Sequence, residues 1–205
     1  TNKLLDVHRI HLLLNRVNDN LLLKNINIIL KKKMILKKEF KFFKNNTYLN
    51  QVKNSKTEIK KILNYMIKPE YRETILDQLF DIFQLEFNLS NFYLNKRQIL
   101  TMSKNGMIFG SHTFSHKVLS LLANNIQEKE ILMTDNFINN IHKQAFKTFC
   151  IPYGTQKTFN QNTINILNKR KFNFSFAVKS KNITKYDYKK NINNLPRFDC
   201  NEFIN

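Results

Sequence analysis

Apolar residues at Leu4, Leu5, Val7, Ile10, Leu12, Leu13, Leu14 and Val17 form a broad stripe at helical spacing and predict a helix over Lys3 to Val17. Asp19 and Asn20 offer a cap for a second helix, about Leu21 to Leu36, whose ends are blurred by Lys and Asn. Phe40 to Asn54 mixes aromatic and polar residues and reads as loop or short helix. Ser55-Lys56-Thr57-Glu58 has the form of a capping box ahead of Ile59, Ile62, Leu63 and Met66. Pro69, at a first-turn position, opens a helix from Glu70 to about Phe83 that buries Ile75, Leu76, Leu79, Phe80 and Phe83. Asn95 caps a further helix through Ser103.

Beyond Gly106 the rhythm changes. Met107 to Phe109 is a short apolar run between a glycine turn and Gly110, expected to be a buried strand. A helix is predicted over Asn125 to His142, with Ile126, Ile131, Leu132, Phe137, Ile138 and Ile141 toward the core. A strand over Thr148 to Ile151, a helix over Asn160 to Lys171 and a β-rich strand over Phe172 to Val178 follow. Ser180 to Asn194 reads as a polar surface loop, and Arg197 stands at the end of a late strand. Strands alternating with helices imply parallel strands and an α/β fold. At 205 residues the chain is read as a single domain, mostly helical over 1–104 and β/α over 105–205.

Active sites of parallel sheets gather at the carboxyl ends of the strands. Two motifs stand there. Gly110-Ser111-His112-Thr113-Phe114-Ser115-His116 follows the first strand, and its histidines lie four apart; if the chain turns helical, both nitrogens face one metal ion. Phe149-Cys150-Ile151-Pro152-Tyr153-Gly154 follows the second strand; its Pro and Gly are scarce in a chain with 3 of each, though an ordinary strand-ending turn would look the same. His8 and His11, on an amphipathic helix, read as packed or solvent-facing, and His142 as a helix-terminal cation suited to the macrodipole.

A net charge of +19 would ordinarily point to nucleic acid. Here the excess is Lys scattered among Asn and Ile, as an AT-rich coding sequence gives, and its densest runs, Lys31-Lys32-Lys33 and Lys37-Lys38, lie in a helical pattern with a solvated face. No nucleic-acid partner is expected. Cys150 and Cys200 form no disulfide framework, and no apolar run is long enough for a membrane helix. The opening residue, Thr1, suggests a segment upstream. The residues do not fix the cellular compartment.

The two motifs together resemble the NodB-type polysaccharide deacetylases, carbohydrate esterase family 4. His112, Thr113 and His116 are similar to that family's His-Ser/Thr-x-x-His motif, and Cys150 to Gly154 to its Arg-x-Pro-Tyr-Gly motif, in the same order. Leu195-Pro196-Arg197 resembles a late Leu-Pro-Arg segment, and Lys3 to His11 a segment that follows the second barrel strand in one branch. The resemblance implies a partial or deformed (β/α) barrel with a helical insertion before the metal motif. It also implies hydrolysis of N-acetyl groups on a polysaccharide or oligosaccharide with a divalent metal, Zn2+. His112 and His116 would be ligands, Tyr153 would lend its backbone amide to the oxyanion, and Pro152 and Gly154 would shape that turn. The family's adjacent aspartates, its base and third ligand, have no counterpart, since no Asp-Asp pair occurs. Cys150 replaces the motif's Arg, for which Arg197 is a candidate substitute; Asp199 reads as a turn residue, and no late histidine supplies the general acid. The chain is therefore expected to be an amino-terminally truncated deacetylase or, alternatively, an inactive carbohydrate-binding copy.

Overall fold

A computed structural model describes residues 3–203 except 38, 49, 50, 142, 156 and 191. The chain divides into two compact units, Thr1–Phe92 and Tyr93–Asn205.

The first unit is helical: α1 (Asp6–Arg16), α2 (Asp19–Ile29), α3 (Phe40–Asn46), α4 (Ser55–Lys61) and α5 (Pro69–Ile82). Ile10, Leu13 and Leu14 of α1, Leu22 and Ile26 of α2, Ile59 of α4 and Ile75, Leu76 and Leu79 of α5 share one hydrophobic core. These are the positions that helical periodicity selects. Three boundaries differ from expectation. The second helix stops at Ile29, and Lys32–Met34 is a separate 3-10 turn. Its cap is Asn18, whose side chain accepts from the backbone of Asn20 and Leu21. At α4 the cap is Asn54, accepting from Thr57 N, while Ser55 Oγ donates instead to Asn20 Oδ1 at 3.0 Å. An Asn competes well with Ser at that position, so the capping-box reading is one residue late.

After α4 the chain makes a π-helical turn over Ile62–Met66, all of it buried. Arg72, 2% exposed, donates from Nη2 to the Asn64 carbonyl in that turn at 2.6 Å. A neighbouring buried guanidinium, Arg9, pairs with Asp77 at 2.5 Å and covers the Phe80 ring at 4.9 Å.

In the second unit α6 (Lys96–Lys104) begins on a capping box between Asn95 and Gln98, then come α7 (Asn124–Ile141), β1 (Thr148–Cys150), α8 (Gln161–Lys169), β2 (Phe174–Val178), α9 (Lys185–Lys190) and β3 (Leu195–Arg197). The strands form a parallel sheet in the order β1-β2-β3. Phe149, Ile151, Ile166, Leu167, Phe172 and Ala177 make its core with Leu119 and Ile131. This is an α/β arrangement, with three strands among the described residues where a partial barrel was expected.

The run Met107 to Phe109 is not a buried strand: Met107 and Ile108 are 54% and 63% exposed. Only Ser111 makes a parallel bridge, to Phe149, with Ser111 N donating to Thr148 O and Cys150 N to Ser111 O. One step earlier the Gln144 side chain takes the place of a strand, accepting from Phe109 N at 2.5 Å and donating to Phe109 O at 2.6 Å. Those two bonds satisfy the peptide groups that a longer ladder would have paired.

In α7 the buried positions are Gln127, Glu130, Ile131 and Asp135, whereas Ile126 and Phe137, expected in the core, are 41% and 44% exposed. The segment read as a loop, Ser180 to Asn194, contains α9, organised by Asp187: its carboxylate takes Lys181 Nζ at 2.9 Å and the Thr184 backbone and hydroxyl. His142 and Lys38 fall outside the described residues.

Candidate functional site

Because the sheet is parallel, its strands present their carboxyl ends together. β1 runs into Pro152-Tyr153-Gly154; Val178, at the end of β2, pairs with Arg197 at the end of β3; and Ser111, bridged to β1 on its other side, hands the chain to His112. Gly110 permits that last approach. A Cβ there would stand 2.7 Å from Thr148 Oγ1.

The histidine loop is not helical. Thr113 and His116 both have left-handed backbone, at φ 61° and 54°, so the two imidazoles converge by a looped path. Their ring centroids are 4.8 Å apart, edge to face at 76°. The Tyr153 ring stands against His116 at 4.9 Å, also edge-on. Sequence-predicted His112, His116 and Tyr153 thus form one cluster of rings.

His112 Nδ1 lies 2.6 Å from the carbonyl of Cys150. A carbonyl can only accept, so Nδ1 carries the proton and Nε2 keeps its lone pair. Burial pushes the His112 pKa below its ordinary 6.5, against the Cys150 hydrogen bond, which raises it; the positive charge of Arg197 adds to the lowering. The imidazole is held neutral, the form that binds a metal. Arg197 is close enough to act on His112 through its charge, and its Nε is buried without a hydrogen-bond partner.

The loop is held by residues that the sequence reading did not single out. Glu130 of α7, 9% exposed, accepts from Ser115 N at 2.8 Å and from Ser115 Oγ at 2.6 Å, and its backbone carbonyl accepts from Phe114 N. One turn on, Thr134 shares a hydroxyl hydrogen bond of 2.5 Å with Ser111. Within the loop Thr113 Oγ1 accepts from His116 N. A signal was present: Gln127, Glu130, Ile131, Thr134 and Asp135 fall at the spacing of one helical face. It is a mainly polar face, so a search for apolar stripes passes over it.

The Pro152-Tyr153-Gly154 bend closes with Gly154 N donating to Pro152 O at 2.7 Å about Tyr153, whose φ is 61°. Gly154 has φ +64°, and a Cβ there would lie 2.8 Å from Val178 N, which donates to Gly154 O. Left-handed residues held in this way are costly and gather where a site needs a fixed geometry. Cys150 takes part through its backbone, while Asp199 lies in a turn closed by Glu202. His8 and His11 stand on α1 in the helical unit, where burial lowers both pKa values.

The donor set is short for a metal. A catalytic zinc takes three protein ligands, and no cluster of three His, Cys, Asp or Glu side chains occurs among the described residues. His112 and His116 suit two of those positions.

Comparison with known proteins bears on the same stretch. No curated protein matches the sequence. The deacetylase PplD of Streptococcus pyogenes, solved in complex with acetate, is a distant structural likeness at 16% identity and a TM-score of 0.46, over 89% of this chain and 80% of that one; a superposition so loose has no bearing on the site. Residues 82–175 match the family model described as polysaccharide deacetylase, and this segment contains both the histidine loop and the Pro152-Tyr153-Gly154 bend. The chain is thus similar to the polysaccharide deacetylase family over residues 82–175.

Proposed function

We propose that the cluster at the carboxyl ends of the strands is a centre for hydrolysing N-acetyl groups on a polysaccharide or oligosaccharide. The observation that carries this reading is the convergence of His112, His116 and Tyr153, with His112 Nδ1 fixed on the Cys150 carbonyl. His112 and His116 would hold a divalent cation, Zn2+, through ring nitrogens. When bound, such a cation polarises the acetamide carbonyl and acidifies water. The chain's own contribution is positional. Glu130 and Thr134 fix the loop that carries the imidazoles. The Tyr153 amide would donate to a developing oxyanion, with Pro152 and Gly154 holding the shape of its bend. Arg197 supplies positive charge beside His112 and would orient an acyl oxygen or a carboxylate.

The test is acetate release from N-acetylglucosamine oligomers with added Zn2+ or Co2+. Release that falls at least about tenfold in His112→Ala and His116→Ala, the scale on which ligand shells affect metal sites, supports the reading. A second reading is favoured by the two-imidazole donor set: a carbohydrate-binding copy of the fold without turnover. It predicts that oligomers bind, that no acetate appears, and that both histidine variants bind sugar as the parent does.

A further inference from the structure

The helical unit contains a cavity of about 760 Å³, bounded by α2, α3, α4, the π-helical turn and Ile35. This is within the range of roughly 300–1,000 Å³ that accommodates small organic ligands. Its walls divide by chemistry. Ile35, Phe40, Ile62, Met66 and Ile67, half-buried or buried, form an apolar floor, while Lys44, Lys53 and Lys61 stand with Asn45 and Asn54 at the mouth. Glu58 is the one acidic residue of the lining, against three lysines.

Two independent observations set this cavity apart from a packing fault. Lys61 Nζ is anchored at the rim by a 2.9 Å hydrogen bond to the Lys44 backbone carbonyl, and its pKa is lowered by burial first and then by the charge of Lys53, partly offset by Glu58. A half-buried ammonium beside apolar surface and within reach of another cation's charge is stabilised by an anion that receives it. The floor is also built on the π turn, whose Ile62 and Met66 both line the cavity. Insertions of this kind recur in helices at functional sites.

The geometry points to a binding site for a small amphipathic anion, with its carboxylate or phosphate against Lys44, Lys53 and Lys61 and its apolar body on Phe40, Ile62 and Met66. It lies within the helical unit and is independent of the proposed deacetylation. An alkyl carboxylate meets the requirement in its simplest form, since one end suits three ammonium groups and the other the mainly apolar floor, where Thr57 is the buried polar residue.

Isothermal titration of the whole chain with decanoate, below its micellar concentration, tests the assignment, with decanol and acetate as probes of the two halves. The expected result is one decanoate per chain, bound at least tenfold tighter than either half. Lys53→Gln/Lys61→Gln should lose about tenfold in decanoate affinity, whereas Lys32→Gln/Lys33→Gln, on exposed residues outside the lining, should lose none. Circular dichroism shows that the variants fold, and Met66→Phe, which fills the floor, should weaken decanoate and decanol alike. Equal affinity for decanoate and decanol, equal losses in the two lysine pairs, or several decanoates bound per chain would each overturn the proposal.

Discussion

The two units solve burial differently. In the helical unit the interior is mostly Ile, Leu, Phe and Met, with Arg9, Thr47, Thr57, Asn64 and Arg72 as its buried polar residues among those described. In the β/α unit a smaller apolar core shares the interior with Gln127, Glu130, Asp135, Thr163 and Ser175. Thr163 Oγ1 donates to Gln127 Oε1 at 2.8 Å, and Asp135 pairs with Lys147 at 2.6 Å. Apolar packing is tolerant of position, whereas a buried hydrogen bond fixes its partners to a few tenths of an ångström. The polar interior lies where the histidine loop has to be held.

If that contrast is right, the largest loss of stability comes from the apolar core. Leu63→Ala, at a fully buried position, should cost about 2–5 kcal/mol in denaturant unfolding. Gly154→Ala forces a Cβ into the Val178 backbone at positive φ and should cost about 1–3 kcal/mol, with a displaced Tyr153 ring visible in aromatic NMR shifts. Glu130→Gln keeps the volume of α7 but halves its accepting capacity toward Ser115. It should cost about 1 kcal/mol and move the His112 and His116 ring resonances, which Leu63→Ala should not. Asn95→Ala removes the cap of α6, costs about 1 kcal/mol or less and leaves both histidines unmoved. The smallest effect is that of pH. His112 has a folded pKa below 6.5, so the unfolded chain binds the extra proton first as pH falls. Its contribution to stability is complete above about pH 6.5 and declines as pH drops from there toward the folded value. Denaturation midpoints of the parent and His112→Gln should converge on acidification; a parallel course at all pH values would contradict a buried neutral imidazole.

Much of this was legible from residue type. The stripes of α1 and α5 place Ile10, Leu13, Ile75 and Leu79 in the core because a helix that must bury one face repeats its apolar residues at helical spacing. Pro69 and Asn95 mark helix starts for reasons local to those residues. The two motifs announce themselves by residues that are scarce elsewhere in the chain. What sequence could not show is how the histidines meet. Their spacing suggested a helical turn, but the path runs through left-handed Thr113 and His116 and is stabilised by Glu130, a residue with no local signature. Ile126 and Phe137 misled because hydrophobicity was taken as the mark of the buried face in a helix whose buried face is mainly polar.

The proposed deacetylation depends most on His112 and His116 sharing one divalent cation. Titrating the chain with Zn2+ while following imidazole NMR resonances measures this directly. One ion per chain, shifting His112 and His116 together and lost in either His112→Ala or His116→Ala, is the predicted result. Wild-type Zn2+ affinity in both variants, or a response confined to His8 and His11, would contradict it.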